Sequence, residues 1–230
     1  MTPNNRLIPA AAGALALALA MPAAATLSRA VAFDQKVEQA QSIVLGKCAR
    51  IRSQWDDQHR FILTYSTFAV EKALKGGAPA EVTVVTPGGK VGSLHQESIG
   101  IPVFHEGDER LLFVKNTTFG PTVLYFDQGT YDVSSNEHGE KVIAPVSTAA
   151  VRIDSQSGKA VEPESPRTLG EMQRDIQAAS SRAAAQQMEM VRTRQRQAVA
   201  ASESPIGRYK FLLILALAGA ALATWHLLRR

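Results

Sequence analysis

The chain has almost no cysteine. Cys48 is the single one among 230 residues, so no disulfide can form within the molecule. It lies in "SIVLGKCARI", a strand-like run in which a thiol reads as a small buried hydrophobe, too far from the N-terminus to be a lipoprotein acceptor. The middle of the chain also lacks an excess of either charge. The formal net charge is +4, but Arg6, Arg208, Lys210, Arg229 and Arg230 flank the two apolar ends. Residues 26–205 hold the other 20 Lys and Arg against all 21 Asp and Glu. A phosphate-neutralising footprint needs clustered basic side chains, so nucleic acid is excluded as a partner. No P-loop, dinucleotide fingerprint, G-x-S-x-G or complete zinc-protease signature occurs, so the sequence implies no cofactor.

What is present begins with two apolar ends. Residues 1–25 read as a signal peptide: Arg6 supplies the positive start, Ala10 to Met21 the apolar stretch, and Pro22 a helix break. The small residues Ala23 and Ala25 fit a signal peptidase, with cleavage after Ala25. In residues 205–230, Phe211 to Leu228 carries no formal charge. At about 1.5 Å per residue that run is close to a hydrocarbon core in length, with Arg229 and Arg230 behind it. The pair predicts a type I arrangement, anchored in the cytoplasmic membrane with its body on the extracytoplasmic side. A C-terminal helix closed by two arginines also fits a precursor cut and sorted at that helix, although no Leu-Pro-x-Thr-Gly or Pro-Glu-Pro precedes it.

The intervening residues change period twice. Over 27–41, Ala30, Phe33, Val37 and Ala40 share one face of a predicted short helix. "SIVLGKCARIRSQW" and "FILTYSTFAVEKAL" then read as strands, the second placing Ile62, Thr64, Ser66, Phe68 and Val70 on one face. Turn signals follow at Lys75-Gly76-Gly77, Pro87-Gly88-Gly89 and "HEGDE". Gly76, Gly88, Gly89 and Gly107 suit backbone with positive φ, while Gly46 lets a strand bend or approach its neighbour. "EVTVV", "RLLFV", "TVLYF", "TYDV" and "VIAPV" complete the set. The expectation for residues 26–150 is therefore mainly β, a small barrel or sandwich of six or seven strands with a short N-terminal helix.

The order Gly46, "VEKALKG", "VTVVTPGG", "GIPVFHEGDERLLF" resembles a bacterial envelope domain of unassigned function. More distantly it is similar to the netrin-like module, the OB-type barrel of the tissue inhibitors of metalloproteases. The resemblance covers roughly residues 38–133 and implies an OB-like barrel. Inhibitors of that class bind the protease metal through an N-terminal cysteine, which the expected mature start lacks, so inhibition is not implied.

From Val151 the composition turns polar, and residues 151–167 read as a linker. Thr168 and Glu171 form a capping box that opens a helix over residues 168–204. Leu169, Met172, Ile176, Ala179, Ala183 and Met190 make one weak seam, so the helix is a stalk, a short self-associating coiled coil, or an unfolded tether. The five histidines form no metal motif: in "HEGDE", Glu109 stands where the second histidine of a zinc protease would be. The function this predicts is a non-catalytic module that binds an envelope protein, peptide or glycan. The alternative is a hydrolase using His95 or His105.

Overall fold

The computed structural model describes residues 27–77, 79–97, 100–147, 150–203, 209, 214–218 and 225. The signal-peptide reading, with Ala23 and Ala25, lies outside them. So does most of the C-terminal apolar segment, with Phe211, Leu228, Arg229 and Arg230. Among the described residues no helix is long and apolar enough to cross a membrane.

The chain runs β1 (Leu27–Arg29), α1 (Phe33–Gln39), β2 (Ser42–Trp55), β3 (Ile62–Lys75), β4 (Glu81–Pro87), β5 (Gly89–Val91) and β6 (Leu94–Gln96). It continues through β7 (Glu109–Thr117), β8 (Gly120–Val123), a 3-10 turn (Phe126–Gly129), β9 (Thr130–Ser135), β10 (Lys141–Pro145), β11 (Val151–Ile153), β12 (Arg167–Thr168) and α2 (Leu169–Glu203). The main sheet has the order β12-β10-β9-β7-β2-β3-β4, with β8 paired to β7. β1 pairs in parallel with β11, and β5 with β6 forms a separate ribbon.

The expected closed barrel is corrected: the sheet is mainly β as predicted, but its ends do not join. β8 is joined to β4 by the Thr122 hydroxyl, which donates to the Val85 carbonyl at 3.0 Å, and no ladder forms between the two strands. Pro121 in β8 and Pro87 in β4 have no N–H to offer such a ladder. Nor is 27–41 one helix. Its first residues form β1, and the helix begins at Phe33. Residues 151–167, read as linker, carry β11 and β12 and belong to the first of two compact units, Met1–Met172.

Apolar side chains fill both faces of the central strands, which is why their sequences read as continuous runs. On one face Val44, Cys48, Phe68, Val82, Val84, Phe104, Leu112, Val114 and Val123 form the core, with Phe68 and Phe104 edge-to-face at 5.1 Å. Burying one such ring stabilises the fold by about 1.5–3 kcal/mol. The opposite face holds Ile43, Leu45, Leu111 and Phe113, all fully buried, with Phe33 of α1 edge-on to Phe113. Lys75, at the end of β3, caps α1: its ammonium donates to the carbonyls of Val37 at 2.5 Å and Ala40 at 2.8 Å. At Gly46 the strands come so close that a Cβ would lie 2.6 Å from the Ala69 carbonyl oxygen, and the β2–β3 register shifts there.

In the helix α2, Met172, Ile176 and Ala179 are buried at helical spacing, whereas Met190 is 55% exposed. The seam therefore ends within the first half of the helix.

Candidate binding groove

The inner face of β2, β3 and β4 changes chemistry along its length. Cys48, Phe68 and Val82 lie opposite one another, and the next row is Ile51, Ser66 and Val84. Beyond it come Ser53, Thr64 and Thr86, a hydroxyl on each of three neighbouring strands. Directly opposite residues of an antiparallel sheet present side chains to the same face, so the apolar core gives way to a band of hydroxyls.

Above this band the β5–β6 ribbon is pinned at its base. The Gly88 N–H donates to the Ile62 carbonyl at 2.8 Å, and the Ile62 N–H donates to the Gln96 side-chain oxygen at 3.1 Å. The Thr64 hydroxyl donates to the Gly88 carbonyl at 2.6 Å. Its proton is thereby committed, so across the 2.8 Å contact between them it is Ser53 that donates to Thr64. Gly89 makes this closeness feasible. Its φ is +126°, and a Cβ there would lie 2.2 Å from the Thr64 hydroxyl oxygen and 2.5 Å from that of Ser53. Gly88 also has positive φ, as do Gly76 and Gly107 at their turns.

Between the ribbon and residues 101–104 opens a groove of about 540 Å³. Ser53, Thr64, Ser66 and Thr86 lie along it, Ile51, Ile101, Pro102, Val103 and Phe104 supply apolar walls, and residues 87–89 with His95, Gln96 and Glu97 complete its lining. Ser66 is 1% exposed, and its hydroxyl is buried with no hydrogen-bond partner. An orphaned buried hydroxyl costs about 1–3 kcal/mol, so one that borders a cavity is a position where an incoming polar group is rewarded.

The structure separates the histidines. His95 borders the groove, with Nε2 3.4 Å from a Glu97 carboxylate oxygen, both side chains largely exposed. His105 sits in the 105–108 turn, where its backbone N–H donates to the Asp108 carboxylate at 2.9 Å. Burial opposes the charge on Asp108, but hydrogen bonds from His105 and Arg110 prevail and hold the carboxyl below its ordinary range. Glu109 instead pairs with Lys141 at 2.5 Å. Among the described residues no group of three His, Cys, Asp or Glu could hold a metal ion.

A second polar cluster escaped sequence reasoning. Lys36 on α1 is 2% exposed, and its ammonium lies 2.5 Å from both the Tyr131 hydroxyl and the Glu164 carboxylate. Tyr131 donates to Glu164, and Arg167 closes the cluster with a 2.8 Å bond to the same carboxylate. Burial pulls the Lys36 ammonium below the lysine range, against the attraction of Glu164. Burial likewise pushes the Tyr131 phenol up, and the Glu164 charge adds to it. A lysine in "FDQKVEQ", beside Gln35 and near Asp34 and Glu38, reads as part of a solvated face, because lysines are rarely buried unless paired. The signal that could have found the groove was the alternation itself: Thr64 and Ser66 share a face with Ile62 and Phe68. Compared with protein-family models, with curated proteins and with solved structures, the chain finds no match in any of the three.

Proposed function

We propose that this chain is an exported, membrane-anchored binding module of the bacterial cell envelope, with the groove as its binding surface. The leader is removed after Ala25, the apolar C-terminal segment anchors the protein, and the β domain stands on the extracytoplasmic side. The observation that carries the binding reading is the hydroxyl band of Ser53, Thr64, Ser66 and Thr86, with one hydroxyl unpartnered, on a face otherwise apolar. A band of neutral hydroxyls orients a ligand by hydrogen bonds without activating a reacting group. Kinship with the envelope domain that the sequence resembles belongs to the same proposal.

Envelope fractionation with intact-mass measurement tests the placement. The expected mature chain begins at Thr26, is recovered with the membrane, and keeps Arg230. Loss of the C-terminal helix would instead mark a sorted precursor, and an unprocessed chain in the cytosol would overturn the reading. The hydrolase alternative rests on the 3.4 Å approach of His95 to Glu97. It predicts turnover of the ligand that is abolished in His95→Ala, whereas the binding module leaves its ligand chemically intact in wild type and variant alike.

A further inference from the structure

The chemistry of the groove limits what it can hold. Among the described residues its lining contains no lysine or arginine, and its charged or titratable side chains are His95 and Glu97, both largely exposed. A phosphate, a sulfate or a strongly acidic ligand would find no counter-charge there. The ligand is therefore neutral along the part that enters.

Two classes of neutral polymer remain, and the walls distinguish them. Sugar rings pack their C–H faces on exposed aromatic faces, which carry the negative side of the ring quadrupole. Among the described residues the lining holds no Trp or Tyr, and its Phe104 is only 6% exposed and is engaged edge-on by Phe68. The aliphatic walls of Ile51, Ile101 and Val103 suit instead an apolar side chain. The ribbon offers the complementary polar feature. β6 pairs with β5 alone among the described strands, so its other edge carries backbone groups outside any ladder. An extended polypeptide can add to such an edge as a third strand, sending alternate side chains into a neighbouring pocket.

We propose that the groove binds an extended, uncharged polypeptide segment laid along β6. One apolar side chain seats against Ile51, Ile101 and Val103, and one polar group reaches the Ser66 hydroxyl. The inference rests on the binding-module reading and gives its ligand a chemical class.

The test uses the full-length protein in detergent micelles, screened against a phage-displayed library of short linear peptides and, in parallel, an array of neutral oligosaccharides. Peptides enriched for an apolar residue in an uncharged stretch are expected. A synthetic copy of the enriched peptide is then titrated by fluorescence anisotropy against wild type, Val103→Arg, Ser66→Ala and the distant surface variant Glu137→Ala. Val103 is 72% exposed, so its replacement leaves the fold intact while placing a charge at the groove. Affinity should fall at least about tenfold in Val103→Arg and about fivefold in Ser66→Ala, with Glu137→Ala unchanged. Peptide binding indifferent to both groove substitutions overturns the proposal. Oligosaccharide binding lost in Val103→Arg overturns the ligand class but leaves a binding groove. Binding of neither probe overturns both.

Discussion

Gly89 is a single position on which the groove depends. Alanine there meets two hydroxyl oxygens and must also adopt a φ of +126°. Gly89→Ala should therefore cost at least about 1–3 kcal/mol in urea unfolding, from backbone strain alone. Gly92, at the ribbon's tip, has φ +61° but nothing within 4 Å of its Cβ position, so Gly92→Ala should cost only about 1 kcal/mol. In the buried cluster, Glu164→Ala leaves the Lys36 charge without its carboxylate and should destabilise by about 3–5 kcal/mol. Lys36→Met removes the buried charge itself and leaves Glu164 held by Arg167, so its cost should be clearly smaller. Tyr131 adds a pH signature. The unfolded phenol titrates near 10.0 while the folded one titrates higher. Its stabilising contribution is complete below that pH and is lost as the pH rises above it. Lys36, whose folded pKa is lowered, works in the opposite direction, and it is present in both proteins compared. Urea midpoints at about pH 9 and about pH 11 should thus fall less in Tyr131→Phe than in wild type.

At the scale of elements, the helix α2 starts where its capping residues dictate. The Glu171 N–H donates to the Thr168 hydroxyl at 3.3 Å and the Thr168 N–H to the Glu171 carboxylate at 2.8 Å. Thr168→Ala should cost about 1 kcal/mol and lower helicity by circular dichroism. That start was legible because a capping box is a local pattern. The long strands were legible too: in β3 the period of two runs from Ile62 to Val70, and "RLLFV" is buried from Leu111 to Val114. β5, β6, β11 and β12 were not, since two or three residues carry no period. Their pairing is decided by distant partners such as Leu27 opposite Val151. Barrel closure was misjudged for the same reason, because strand count and turn spacing do not say which edges meet. The groove was half legible: the alternation placed Thr64 and Ser66 on the face of Phe68, but only the crossing of the β5–β6 ribbon shows that they border a recess.

For the whole molecule, the charge distribution makes its own prediction. With the basic excess confined to the ends, the body between residues 26 and 205 is close to neutral. The protein should pass a heparin or DNA resin at physiological salt, and strong retention would contradict the reading of its partners. The way the fold is fastened bears on the proposed export. β1 is stitched to β11, and Lys36 meets a carboxylate 128 residues further along. A chain threaded from its N-terminus through a translocation pore cannot pair β1 until Ile153 has emerged, nor seat Lys36 until Glu164 has. Such distant pairings form slowly, and while they are unmade the leading segment stays pliable enough to be threaded. The last-made contacts of the β domain would thus act as a timer, tying its maturation to the moment when only the helix α2 and the apolar tail remain to pass.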